Sequence, residues 1–180
     1  YSKHEALIMK MTSSIKLPRS LWSDQDSATL GLNAIAAIKS RTSKGLDGDL
    51  EPFAMYSEKP ITISKKGARL SPKGGRPSES GDSVFYEQGY RQYKHESRGR
   101  SDRAASAEVD LVLSGALMNN IILTQADRTG FIISLSDHVA YYGYRVNADR
   151  EFLKLDQDTI KVLTQAVNID IANRLKGGRR

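Results

Sequence analysis

The residues able to do chemistry in this chain are few, and their spacing suits little of it. His4, His95 and His138 stand far apart, with none of the intervals that bring two imidazoles onto one metal. Asp47, Asp49 and Glu51 alternate as calcium ligands do. The twelve-residue calcium loop needs Gly at its sixth position, and Pro52 stands there, so a turn is expected. Ser114, Asp137 and His138 are the residue types of a nucleophilic triad, but no G-x-S-x-G elbow frames any serine. "SKKGARLSPKGGR", residues 64–76, has the glycines and lysines of a phosphate loop without the G-x-x-x-x-G-K-[ST] spacing. With no cysteine, disulfides, thiolate zinc sites and thiol nucleophiles are excluded. The reading expects no enzyme, no metal and no cofactor.

One stretch does combine chemistry-bearing types. Residues 64–108 hold ten of the 27 Lys and Arg, mixed with Gly, Ser, Pro and a group of aromatic residues. Lys65, Lys66, Arg69, Lys73 and Arg76 form its basic half, and Phe85, Tyr86, Tyr90 and Tyr93 its aromatic half. Basic residues interleaved with rings are compatible with single-stranded nucleic acid. They equally suit an arm that orders on neighbouring subunits, because such a segment buries too little apolar surface to offset its own ordering entropy. The arm is the preferred expectation, with the aromatic group as a strand or helical turn that docks. No RNP motif, KH loop or zinc knuckle is present.

The elements that would position these residues are clearer. "SDQDSATLGLNAIAAIKSRTSKG" predicts a helix, with Ser23 or Asp24 as cap, an apolar stripe of Leu32, Ile35, Ala36 and Ile38, and Gly45 closing it. Asp47-Gly48 marks a turn, after which Phe53, Met55 and Tyr56 are expected to anchor a loop to the core. A short strand is expected at 61–63. Val109, Leu111 and Leu113 alternate as a strand does, and Ser114 is expected to cap a short helix over Gly115 to Asn119. Residues 121–135 predict a hairpin around "QADRTG". "DHVAYYGY" predicts a short helix that stops near Gly143. In the final helix Asp156 caps, Ile160, Leu163, Val167 and Ile171 repeat at helical spacing, and Gly177 ends it. Leu111, Leu113, Ile121, Ile133, Leu163 and Val167 are the expected shared core.

Length and charge bound the rest. A chain of 180 residues suits one domain, here with residues 1–20 as an N-terminal extension and 64–108 as the basic arm. No apolar run approaches the roughly 20 residues of a membrane helix. The start lacks a small-residue cleavage site and does not read as a signal peptide. The chain opens on Tyr1 rather than Met, and residues upstream are expected. Net charge of +6 fits a polyanionic or acidic neighbour and equally a solvated surface of lysine and arginine.

Several blocks, in order, resemble one family. These are "KSRTSKGLDGDLEPFAMYS", "GYRQYKHESRGR", "VDLVLSGALMNNIIL", a hairpin, and "AYYGYRVNADREFLKLDQDTIKVL". They are similar to the neck and tail-completion proteins of tailed bacteriophages, a family that includes lambda tail-completion protein Z and phage virion-morphogenesis proteins. Gly48, Phe53, Tyr56 and Ser57 match its turn motif. Asp110, Leu111, Ser114, Gly115, Leu117 and Ile121 match its strand–helix–strand. Arg150, Phe152, Leu153 and Leu155 match the step before its last helix. The resemblance covers about residues 28–172. It implies an α+β fold in which a small antiparallel sheet packs against long N- and C-terminal helices. It also implies a structural virion component forming a homo-oligomeric ring, a hexamer or dodecamer, around DNA. Its partners would be portal or head-completion proteins on one side and tail terminator or tube proteins on the other. Its location would be the virion neck, with host cytoplasm during assembly, and Arg150 would be a structural anchor or subunit contact. The alternative is a basic nucleic-acid-binding protein.

Overall fold

The computed structural model describes residues 9–12, 21–68, 70–98, 109–112 and 114–177. The fold is α+β, with five helices and two three-stranded antiparallel sheets among those residues. The first helix, α1 (Asp24–Ser43), starts on a reciprocal capping box. The Ser23 hydroxyl accepts from the Asp26 N–H at 3.2 Å, and the Asp26 carboxylate accepts from the Ser23 N–H at 2.8 Å. It ends where Gly45 turns left-handed at φ 81°, and the Gly45 N–H donates to the Thr42 carbonyl.

The buried face of α1 is Ser27, Gly31, Ala34, Ile35, Ile38, Arg41 and Thr42. Of the expected stripe, Ile35 and Ile38 are on it, but Ala36 is exposed and Leu32 is 56% exposed. The reason is close approach. A Cβ on Gly31 would lie 2.6 Å from Leu123 Cδ1 and 3.1 Å from the Phe131 ring. The helix therefore turns its small residues to the sheet and rotates Leu32 outward.

That sheet consists of β1 (Met9–Thr12), β5 (Ile121–Asp127) and β6 (Gly130–Leu135), in the order β1-β6-β5. Central β6 alternates cleanly, with Phe131, Ile133 and Leu135 buried. The hairpin pairs Ile121 with Leu135 and shifts register between Leu123 and Gln125. Helix α1 packs across β5 and β6. Ile121, Ile133 and Leu163 are buried as expected, Leu111 and Val167 are half-buried, and Leu113 lies outside the described residues.

Residues 64–98 depart from the expected arm. Over the described positions they fold onto a second sheet, β2 (Ile61–Ser64), β3 (Arg76–Pro77) and β4 (Ser83–Tyr86), ordered β2-β4-β3, followed by α2 (Gly89–Arg98). Val84, Tyr86 and Tyr93 form a separate small core, with Ile61, Ile63 and Tyr90 packed on it. Tyrosine makes this possible in so polar a segment, since each ring supplies apolar area and its hydroxyl satisfies a backbone group. The Tyr86 hydroxyl donates to the Lys73 carbonyl at 2.8 Å, and that of Tyr93 to the Leu70 carbonyl at 2.7 Å.

Two further expectations are corrected. Residues 109–112 form no strand. The Asp110 carboxylate accepts from the Val112 N–H at 3.0 Å, and Leu111 sits at φ 52°, so the chain turns instead of extending. The short helix α3 (Ala116–Asn119) has Gly115, at φ 84°, as its N-cap, with no side-chain cap. Ser114 is exposed and accepts only a long 3.4 Å bond from the Ala116 N–H.

Helix α4 (Asp137–Arg150) runs on past Gly143. Gly143 is buried, and a Cβ there would meet Leu135 Cδ1 at 2.3 Å and Leu117 Cδ1 at 2.9 Å. It is a contact point between α4, α3 and β6 rather than a stop signal. Helix α5 (Gln157–Gly177) packs on α1. Two ion pairs fix an antiparallel arrangement. Arg41, near the end of α1, reaches Asp156 at the start of α5 (3.1 Å) and the Phe152 carbonyl (2.7 Å). Arg174, near the end of α5, grips both oxygens of Asp26 at 2.8 and 2.6 Å. Asp156 also caps α5, accepting from the Thr159 N–H at 2.7 Å.

The Gly143 contact sets a stability test. Gly143→Val will overpack the α3–α4–β6 junction and lower the unfolding free energy by about 1–3 kcal/mol. Ala148→Val, exposed on the same helix, is the control for β-branching, and urea midpoints give the comparison. The Asp26 clasp sets a second test. The Arg174 guanidinium, against opposition from partial burial and with help from Ser23, holds the Asp26 carboxyl far below its ordinary 3.8. A depressed carboxyl contributes stability above its unfolded pKa and loses it as the folded chain takes up the proton. Asp26→Asn will therefore cost about 1–2 kcal/mol at neutral pH. In urea titrations at stepped pH, that difference will shrink only below 3.8.

Candidate functional site

The densest polar cluster lies where the 61–98 insertion meets the main core. Helix α2 carries Lys94 and Arg98 four residues apart, which places them on one face. Both reach Asp110. Lys94 Nζ donates to Asp110 Oδ1 in a very short contact, and Arg98 Nη1 donates to Oδ2 at 2.8 Å. Lys94 also donates to the Tyr56 hydroxyl at 2.6 Å, and the Leu111 N–H donates to the same hydroxyl at 3.1 Å. Arg150, the last residue of α4, lies with its guanidinium carbon 5.5 Å from the Tyr56 ring centre. Its Nη2 donates to the Ala54 carbonyl at 3.2 Å.

Charge in this cluster is unequal. One carboxylate serves two nearly buried cations. Burial pushes the Lys94 ammonium down to about 8, and Asp110 only partly offsets that. Burial also works to raise the Asp110 carboxyl. There the donors win, Lys94 first, then the Val112 N–H and Arg98, and its pKa falls below the ordinary value. The two directions agree once donors are counted, because Asp110 has three donors while Lys94 shares its one carboxylate with Arg98. Tyr56 is pushed well above the ordinary phenol range, chiefly by burial and then by the Asp110 charge, so it stays a neutral hydroxyl.

Beside this cluster a cleft of about 610 Å³ opens between the insertion and the α3–α4 region. Tyr56, Tyr90, Tyr93 and Tyr142 line it, with Leu111, Leu117 and Val146, and among the described residues Arg150 is the one charged residue in its lining. Tyr56 and Tyr90 meet edge to face at 5.3 Å, and Tyr90 and Tyr93 at 5.7 Å. Gly89, at φ 64°, lets α2 begin against the Ser57 and Lys59 carbonyls, which a Cβ would approach to 2.6 and 2.4 Å.

The structure thus brings Tyr56, Tyr90, Tyr93, Asp110 and Arg150 together from blocks far apart in sequence. Other residues singled out by sequence lie elsewhere. Lys65, Lys66 and Lys73 are exposed and do not line the cleft, and Arg69 lies outside the described residues. Arg76 is exposed, with its guanidinium carbon 5.0 Å from the Phe85 ring centre. Tyr86 is fully buried in the insertion. Phe53 and Phe152 belong to the main core. Gly48 is buried against Lys154, whose Cβ would lie 2.5 Å from an added methyl. Met55, an expected anchor, is 52% exposed. Lys94, Arg98 and Tyr142 were not singled out, although Tyr90, Tyr93, Lys94 and Ser97 repeat at helical spacing and mark the buried side of α2.

The other chemistry-bearing sets act locally. Asp47 Oδ1 accepts from the Asp49 and Glu51 N–H groups and builds the expected turn, while Asp49 pairs with Lys154. His138 Nδ1 pairs with the Ser136 hydroxyl at 3.1 Å, and no bond joins it to Ser114. Among the described residues no three His, Asp or Glu side chains are grouped to hold a metal ion. None of the described helices is long and apolar enough to cross a membrane.

Fold and site together define an α+β scaffold whose buried polar groups clamp chain crossings and leave one aromatic cleft open. No family model, curated protein or solved structure matches the chain.

The unequal charge yields a contrast between two substitutions. Lys94→Met leaves Asp110 with Arg98 and will cost under about 1 kcal/mol, since a buried cation is exchanged for packing. Asp110→Ala strands two buried cations and will cost about 3–5 kcal/mol. Urea unfolding at pH 7 measures both. Because the folded Lys94 gives up its proton near pH 8 and the unfolded one near 10.5, the unfolded chain holds more protons in that window. The wild type will therefore gain stability relative to Lys94→Met as pH rises from 8 to 10.5.

Proposed function

We propose that the chain is a structural component of a bacteriophage neck, a tail-completion or head–tail joining adaptor that works as a homo-oligomeric ring around the DNA channel. The observation behind this reading is the convergence of the three sequence blocks that resemble tail-completion proteins. Gly48 donates its N–H to the Glu151 carbonyl, Tyr56 receives the Leu111 N–H beside Asp110, and Arg150 holds the Ala54 carbonyl. Residues of all three blocks are engaged in fixing how the chain crosses itself, which supports a shape-defined adaptor. In this reading its partners are further copies of itself, portal or head-completion proteins, tail terminator or tube proteins, and the DNA in the lumen.

One observation favours a second reading, a nucleic-acid-binding protein. Arg76 stacks on Phe85 on the exposed side of the small sheet, and Lys65, Lys66 and Lys73 are exposed in the same insertion. One set of variants separates the two. Replacing Lys65, Lys66, Lys73 and Arg76 by Glu alters an exposed surface and leaves both cores intact. In a phage carrying this gene, deletion of the gene will give filled heads and separate tails by electron microscopy. Purified protein will give a ring-sized mass by light scattering. Joined, infectious particles from the deletion would overturn the adaptor reading. Salt-steep DNA binding by a monomer, lost in the four-Glu variant, would establish the second.

A further inference from the structure

We infer that the tyrosine-lined cleft is a docking site for a short acidic segment of a protein partner, which seats an apolar side chain in the cleft and sets a carboxylate on Arg150. The inference goes beyond the adaptor reading and holds whether or not the chain works in a neck, because it stands on the cleft alone.

The lining is nearly all hydrocarbon and tyrosine ring, and its volume of about 610 Å³ is in the range that accepts a few large side chains. Tyrosine is enriched in such surfaces because it offers a large contact area at low entropic cost. Among the described residues the cleft lining has one cation, Arg150. Arg41, Arg91, Arg98 and Arg174 each hold a carboxylate. Among the described residues Arg150 has none. It donates through Nη2 to one carbonyl, and its enclosed Nε has no partner among the described residues. Beside Tyr56, Lys94 and Arg98 share the single carboxylate of Asp110. The described lining is thus apolar with a guanidinium at one side, beside a cluster in which two cations share one carboxylate, which an acidic segment with an apolar side chain complements.

Nucleic acid fits the same cleft poorly. A phosphodiester backbone needs several accessible cations along its track. Lys94 and Arg98 are buried and engaged by Asp110, and Lys65, Lys66, Lys73 and Arg76 lie outside the lining.

The experiment uses the full chain and a fluorescein-labelled hexapeptide that alternates Glu with Phe and Leu, read by anisotropy. The wild type will bind it saturably. Arg150→Gln will weaken binding about tenfold or more, the loss of one charge-assisted contact. Ala116→Trp, which fills the cleft from the start of α3, will abolish it. Thermal melts establish that each variant is folded. If Arg150→Gln melts early, the Ala116→Trp result and a peptide with Lys in place of Glu decide the matter, and the Lys peptide must not bind. No binding by the wild type overturns the proposal. Equal binding by both variants, or equal binding of the Lys peptide, overturns it as well. A single-stranded oligonucleotide that binds instead, and that Arg150→Gln releases, overturns it in favour of nucleic acid.

Discussion

A single carboxylate, that of Asp110, holds the two halves of this protein in register. It receives Lys94 and Arg98 from α2 and the Val112 N–H from its own loop. Through Lys94 it is tied to Tyr56, and through Tyr56 to Leu111 and the Arg150 end of α4. Removing ions from water is costly, and a buried pair restores that cost only when its remaining donors and acceptors are satisfied. Asp110 meets that condition and Lys94 does not quite. The node therefore specifies an arrangement more than it adds stability. It fixes which face of α2 looks inward, and hence where Tyr90 and Tyr93 stand along the cleft.

The main core uses the same device at two other crossings. Arg41 buried against Asp156 and the Phe152 carbonyl, and Arg174 on Asp26, lock α5 antiparallel to α1. Apolar packing between those helices is thin, since Leu163 is the one buried residue of α5. Charge pairs thus set the direction of helices that hydrophobic contact alone would leave free to slide.

Much of this was legible in the sequence where local chemistry is strong. Ser23 or Asp24 before α1, Gly45 after it, the hairpin at 121–135 and Asp156 before α5 each announce an element through a cap or turn of limited alternatives. Legibility failed where tertiary contacts decide. Val109, Leu111 and Leu113 alternate like a strand, yet the pull of Lys94 and Arg98 on Asp110 bends the chain there. Leu32 looked like core and Gly31 did not, because close helix–sheet approach rewards the absence of a side chain. Composition marks 64–108 as an arm, since no count of apolar residues shows that Tyr86 and Tyr93 will spend their hydroxyls on backbone carbonyls. Within the site, Tyr56, Asp110 and Arg150 stood out through the family resemblance, whereas Lys94 had no signal beyond its helical spacing to Tyr90 and Tyr93.

The sparse burial of α5 has a consequence for how the molecule breathes. Beyond Leu163, the helix presents Ile169 at 62% exposure and Leu175 at 54%, and its far end is tied by the Arg174–Asp26 bridge. Segments with few buried contacts open without global unfolding. The last turns of α5 therefore form a latch whose spring constant is electrostatic. Raising the ionic strength screens the half-exposed bridge and loosens the latch, while the tyrosine-rich insertion and the β6-centred core stay shut.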